Sequence, residues 1–129
     1  MYIGLNERTA SFLAVAPQVI AADTQGTVVD LLDFPEEAYV ICTVGEITDG
    51  AYRFDVKHSD TSTGTFANLT DGGNDVTSQI FSSTNDEKLE VIKLKNYKRF
   101  VRVDVKETTA GTTGGPLGAV LIGVYKLKK

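Results

Sequence analysis

Ala51-Tyr52-Arg53-Phe54-Asp55-Val56-Lys57-His58 decides the fold. Tyr52, Phe54 and Val56 fall on one side of an extended chain, and Arg53, Asp55 and Lys57 fall on the other. Alternation with period two marks a β-strand with one face in a core and one in water. Residues 98–106 repeat it, with Val101, Val103 and Val105 inward and Arg102, Asp104 and Lys106 outward. Phe100 falls on the outward side, where it either caps an edge or meets a partner. Residues 38–44 and 117–127 are instead apolar on both faces, which suits central strands or strands covered on both sides. Shorter strands are expected at 27–32, 65–69, 76–81 and 89–94.

The segments between these runs are turn chemistry. Thr48-Asp49-Gly50 suits a tight turn, because Gly tolerates positive φ and Asp can bond its own backbone. Residues 59–64 and 71–75 read as polar loops, and residues 108–116, with Gly111, Gly114, Gly115 and Pro116, read as a flexible hairpin tip joining the last two strands. No window keeps a helical apolar pattern between proper caps. About eight short strands at this spacing imply an all-β fold: an antiparallel β-sandwich or a jelly-roll-like barrel. Residues 1–22 precede the regular pattern and form an extended N-terminal arm or an extra edge strand; residues 23–129 form the sandwich domain.

The chain has 129 residues, of which 42% are hydrophobic and 23% charged, ordinary usage for one globular domain. A single cysteine, Cys42, within an apolar run, excludes an intrachain disulfide and a cysteine-based metal site and reads as a buried hydrophobe. One histidine, His58, with no nucleophile turn near it, gives no hydrolase constellation. No enzyme activity, cofactor or metal is expected. Asp71, Asn74 and Asp75 are oxygen ligands in a Gly-rich turn, but they lack the spacing of an EF-hand calcium loop, and turn chemistry accounts for them. The start of the chain does not read as a signal peptide, since Glu7 stands in place of a basic region and Pro17 breaks the apolar stretch. No run of about 18 apolar residues is present, so no membrane partner is expected.

Charge is divided along the chain. Residues 1–87 carry 14 acids and three bases, a balance of −11, and residues 88–129 carry 10 bases and three acids, a balance of +7, giving the net −4. Lys93, Lys95, Lys98, Arg99 and Arg102 interleave with Tyr97 and Phe100, a mixture that can grip single-stranded nucleic acid. The acidic remainder opposes a polyanion, so no nucleic acid is expected. Basic strands can instead satisfy acidic strands and loops across a sheet. A third arrangement sets the basic face of one subunit against the acidic face of the next, which orients assembly.

Several segments together resemble a family of small β-sandwich proteins encoded by tailed bacteriophages and prophages. They are Ala22-Asp23-Thr24-Gln25-Gly26-Thr27-Val28-Val29-Asp30-Leu31 and Val44-Gly45-Glu46-Ile47-Thr48-Asp49-Gly50-Ala51-Tyr52, then His58-Ser59-Asp60 with Gly64-Thr65-Phe66, Lys98-Arg99-Phe100-Val101-Arg102-Val103, and Thr112-Thr113-Gly114-Gly115. The resemblance covers roughly residues 22–125. It implies a virion protein without enzymatic activity, made in the bacterial host cytoplasm. Its implied role is a minor capsid protein that decorates or cements the head, binding the major capsid protein on the exterior, often as a homotrimer near threefold positions. A tail or head–tail joining component is the alternative, as is a carbohydrate-binding sandwich, although there is no Trp for a sugar platform. The expected partner-binding residues are Tyr2, Ile3, Leu5, Phe12 and Leu13 as apolar anchors, with Lys95, Lys98 and Arg99 meeting acidic surfaces.

Overall fold

The computed structural model describes residues 9–125. In chain order its strands are β1 (Thr9–Ile20), β2 (Val29–Asp30), β3 (Glu37–Val44), β4 (Ala51–Ser59), β5 (Ala67–Asn68), β6 (Thr70–Asp71), β7 (Asn74–Asp75), β8 (Lys88–Leu94), β9 (Phe100–Thr109) and β10 (Gly115–Val124). Sheet I has the order β1-β10-β3-β8, sheet II the order β2-β9-β4-β5, and β6 pairs with β7 as a small hairpin. All pairings are antiparallel. The protein is an all-β antiparallel sandwich, and neither sheet closes into a barrel.

The alternating strands pack as their pattern dictates. On sheet II, Phe54 lies opposite Val105 and Val56 opposite Val103, all buried. Sheet I contributes Val40, Cys42, Ile92, Leu94, Leu117 and Leu121 to the same core. Full burial of side chains this size stabilises by about 1.5–3 kcal/mol each. Phe54 and Phe81 meet edge to face, with ring centroids 6.3 Å apart, inside it. The two strands that are apolar on both faces, β3 and β10, take the middle of sheet I.

Two segments differ from the sequence expectation. Residues 110–114 are not a hairpin tip, because β9 lies in sheet II and β10 in sheet I, so the chain crosses between layers there. Residues 45–50, between β3 and β4, make the same crossing. The Asp49 carboxylate ties the two crossings together by accepting from the backbone N–H groups of Thr112, Thr113 and Gly114 and from the Thr112 hydroxyl. Residues 76–81 are not a regular strand. They run beside β4 through isolated bridges at Thr77 and Phe81, and the Ser78 hydroxyl accepts from the Phe54 N–H.

The start of the described chain forms the long edge strand β1, which pairs along β10 and bulges between Leu13 and Val15 and between Val15 and Gln18. The bulges and Pro17 disrupt a row of free backbone groups that would otherwise invite another strand. Gly26 then passes between layers. A Cβ there would sit 2.0 Å from the Val103 carbonyl oxygen and 2.6 Å from that of Ala14, so only a bare backbone fits.

Candidate interaction surface

The two outer faces of the sandwich are chemically unlike. On sheet II the outward residues are Arg53, Asp55 and Lys57 on β4 and Arg102, Asp104 and Lys106 on β9. Across the strands like charges face each other: Arg53 with Lys106, Asp55 with Asp104, Lys57 with Arg102. Such rows repel. Ion pairs along each strand relieve them, Arg53 to Asp55 at 2.7 Å and Arg102 to Asp104 at 2.8 Å. Lys106 reaches Asp23 at 3.1 Å, and the Arg102 guanidinium also stacks on Phe66. This is a wetted face whose charges, Lys57 excepted, are matched locally.

On sheet I the outward positions are mostly uncharged. The register sets Leu13 of β1 beside Val120 of β10, Val120 beside Ile41 of β3, and Ile41 beside Val91 of β8. One apolar row therefore crosses all four strands. A parallel row holds Ser11, Ile122, Tyr39 and Lys93, and Leu89 lies on the other side, opposite Thr43. Leu13, Val91 and Leu89 are 54%, 55% and 61% exposed at the two edges, and the central side chains are half-buried by their neighbours. Glu37 and Lys93 are the charges on this side, and Glu37 accepts a hydrogen bond from the Tyr39 hydroxyl. At one end an open groove of about 500 Å³ is lined by Pro17, Thr43, Leu89 and Pro116 among others.

The expected anchors separate on this frame. Tyr2, Ile3 and Leu5 lie outside the described residues. Phe12 turns inward and meets Phe34 edge to face at 6.1 Å, whereas Leu13 turns out into the apolar row. Of the three basic residues, Lys98 pairs with Asp60 at 3.5 Å and Arg99 makes a two-point contact with Asp30 at 2.8 and 2.9 Å. The Arg99 guanidinium, hydrogen-bonded to Asp30, holds that carboxyl below its usual range. Lys95 is exposed and makes no ion pair among the described residues. The basic run thus finds its acids largely in the chain's acidic part. Tyr97 is anchored by its hydroxyl, which donates to the Phe34 carbonyl, and Phe100 lies half-buried beneath Arg99.

Other candidate groups hold the fold. The Cys42 thiol is buried, and burial pushes its pKa up to about 12. His58 Nδ1 accepts from the Lys98 N–H, and burial, helped by the nearby Lys98 charge, lowers its pKa. Among the described residues no group of three or more His, Cys, Asp or Glu side chains could hold a metal ion. The sequence reading did not single out Ile41, Val91, Val120 and Ile122 as surface residues. Their signal was the two-faced apolarity of β3 and β10 together with Leu89 and Val91 at alternate positions of β8.

No protein-family model matches this chain, and no curated protein matches it by sequence. Among solved structures, the crystal structure of the SPBc2 prophage-derived protein YomS is similar, with a TM-score of 0.54 and 15% identity. The match covers 90% of this chain and 92% of that one. The likeness is one of fold, over nearly the whole of both chains.

Proposed function

We propose that this protein is a structural component of a tailed-phage particle, a decoration or cement protein that binds the major capsid protein on the head exterior and bridges neighbouring subunits. The observation that carries the reading is the contrast between the outer faces: charge on sheet II is largely paired locally, while sheet I presents a continuous apolar row. Apolar patches of this kind are contact surfaces. The shared fold with a prophage-derived protein supports the phage setting. In this reading Leu13 and Lys95 contribute to contacts, Tyr2, Ile3 and Leu5 extend the apolar anchor, and the chain does no catalysis.

Particles of the encoding phage provide the test. The protein should be present in purified virions by mass spectrometry. Added to mature heads that lack it, it should bind and raise their resistance to heat. Absence from virions together with failure to bind heads would end the proposal. Imaging of labelled particles separates a head position from a tail or head–tail joining position.

A further inference from the structure

We propose that a second copy of this chain covers the outer face of sheet I, so that two sandwiches stack through it. The contact rests on the face alone and describes the isolated protein, whether or not it is a virion component; on a phage head the capsid protein would take the second copy's place. Four strands about 4.8 Å apart, each offering about eight residues of ~3.3 Å rise, make a face of roughly 500 Å². Two copies would bury about 1,000 Å², the level that a specific protein contact has to clear.

The positions of the side chains select the symmetry. The row Leu13–Val120–Ile41–Val91 has its midpoint between β10 and β3. A two-fold axis through that midpoint, parallel to the strands, sets Leu13 of one copy over Val91 of the other, and Val120 over Ile41. The same operation brings Lys93 to Ser11, and Leu89 to the end of β1 where Pro17 lines the groove. In these rows apolar groups meet apolar groups and Lys93 meets a hydroxyl, while Glu37, at the end of β3 and hydrogen-bonded to Tyr39, comes over Val124 at the rim. An axis along the row would instead press Lys93 onto Leu89, desolvating an ammonium without a partner. Sheets stacked face to face cross at about 30°, which the strand-parallel axis accommodates.

Light scattering or sedimentation of the full chain, with Leu13→Glu, Val91→Lys and the double substitution, tests this. The wild type should show the mass of two chains at micromolar concentration. Both positions are more than half exposed in the single chain, so each substitution should leave the far-ultraviolet circular dichroism of the folded sandwich intact. Each single variant should raise the dissociation constant by ~10-fold or more, because it sets a charge against an apolar side chain across the axis. The double variant, with opposite charges brought together across the axis, should recover most of the loss. A one-chain mass for the wild type, a three-chain mass, or two-chain association indifferent to both substitutions would overturn the proposal. Should Leu13→Glu disturb β1, Val91→Lys alone still decides between dissociation and indifference.

Discussion

Replacing Gly26 by Ala is expected to destabilise the fold strongly, because the added methyl group would meet backbone on two sides. Gly26 lies where the chain leaves β1 and passes under β9: its N–H donates to Asp104, and the next N–H, of Thr27, donates to the Ala14 carbonyl at 2.9 Å. A Cβ would stand 2.0 Å from the Val103 oxygen and 2.6 Å from the Ala14 oxygen. Carbon and carbonyl oxygen ordinarily keep ~3.3 Å apart, so the connection must retreat by about 1 Å from atoms that belong to strand backbones and cannot rotate away. Overpacking costs about 1–3 kcal/mol, and loss of the Thr27–Ala14 bond adds about 1 kcal/mol. The sum, about 2–4 kcal/mol, is a large share of a typical domain's 5–15 kcal/mol and corresponds to a melting point lower by about 10 °C. The assay is thermal and urea unfolding followed by circular dichroism, at one protein concentration for all variants. Gly72→Asn is the control: φ is +62° and nothing lies within 4 Å of the added Cβ, so Asn, which tolerates that region, should cost less than about 1 kcal/mol. A Gly26→Ala melting point within about 2 °C of wild type would refute this packing of the β1–β2 connection.

Three further outcomes follow from the geometry. Asp49 is held at about 2 against an ordinary 3.8 by the N–H and hydroxyl groups it accepts from, so its contribution is present above 3.8 and fades as pH falls towards 2. Urea midpoints across that range should show a drop in the wild type that is smaller in Asp49→Asn, which should also be less stable at neutral pH. For His58 the lowered pKa means that the fold prefers the neutral ring, so stability present above pH 6.5 should decline as pH falls below it. His58→Gln should flatten that decline, and an unchanged profile would assign the titration elsewhere. Phe54→Ala removes a fully buried ring that meets Phe81 and should cost about 3–5 kcal/mol by urea unfolding.

Much of the fold was legible in residues that obey one periodicity. β4 and β9 alternate without a break because one face of sheet II stays in water, and β3 and β10 show their central place because neither of their faces is fully wetted. The layer that each strand joins was not legible. Asp49-Gly50 and the glycines of residues 111–115 report that the chain turns, and turn chemistry is the same whether the next strand pairs with the last or crosses to the other sheet. Residues 76–81 looked like a strand because Val76, Ile80 and Phe81 are apolar, but Ile80 is 49% exposed and Ser78 is buried to bond β4. The candidate surface was half legible. Leu13 could be picked from its apolar neighbourhood, but its row with Val120, Ile41 and Val91 exists only once the register of four strands is fixed. The divided charge gave no partner surface by itself, since Asp23, Asp30 and Asp60 take up Lys106, Arg99 and Lys98 within the chain.

The central claim, that the outer face of sheet I is covered when the protein is assembled, is tested most directly by hydroxyl-radical footprinting of the wild type at micromolar concentration. In a single chain Leu13, Leu89 and Val91 are 54%, 61% and 55% exposed, matched by Leu32 at 58% and Ile80 at 49% away from that face. The account predicts that Leu13, Leu89 and Val91 are labelled several-fold more slowly than Leu32 and Ile80. Equal labelling of the two leucine sets, Leu13 and Leu89 against Leu32, would contradict it.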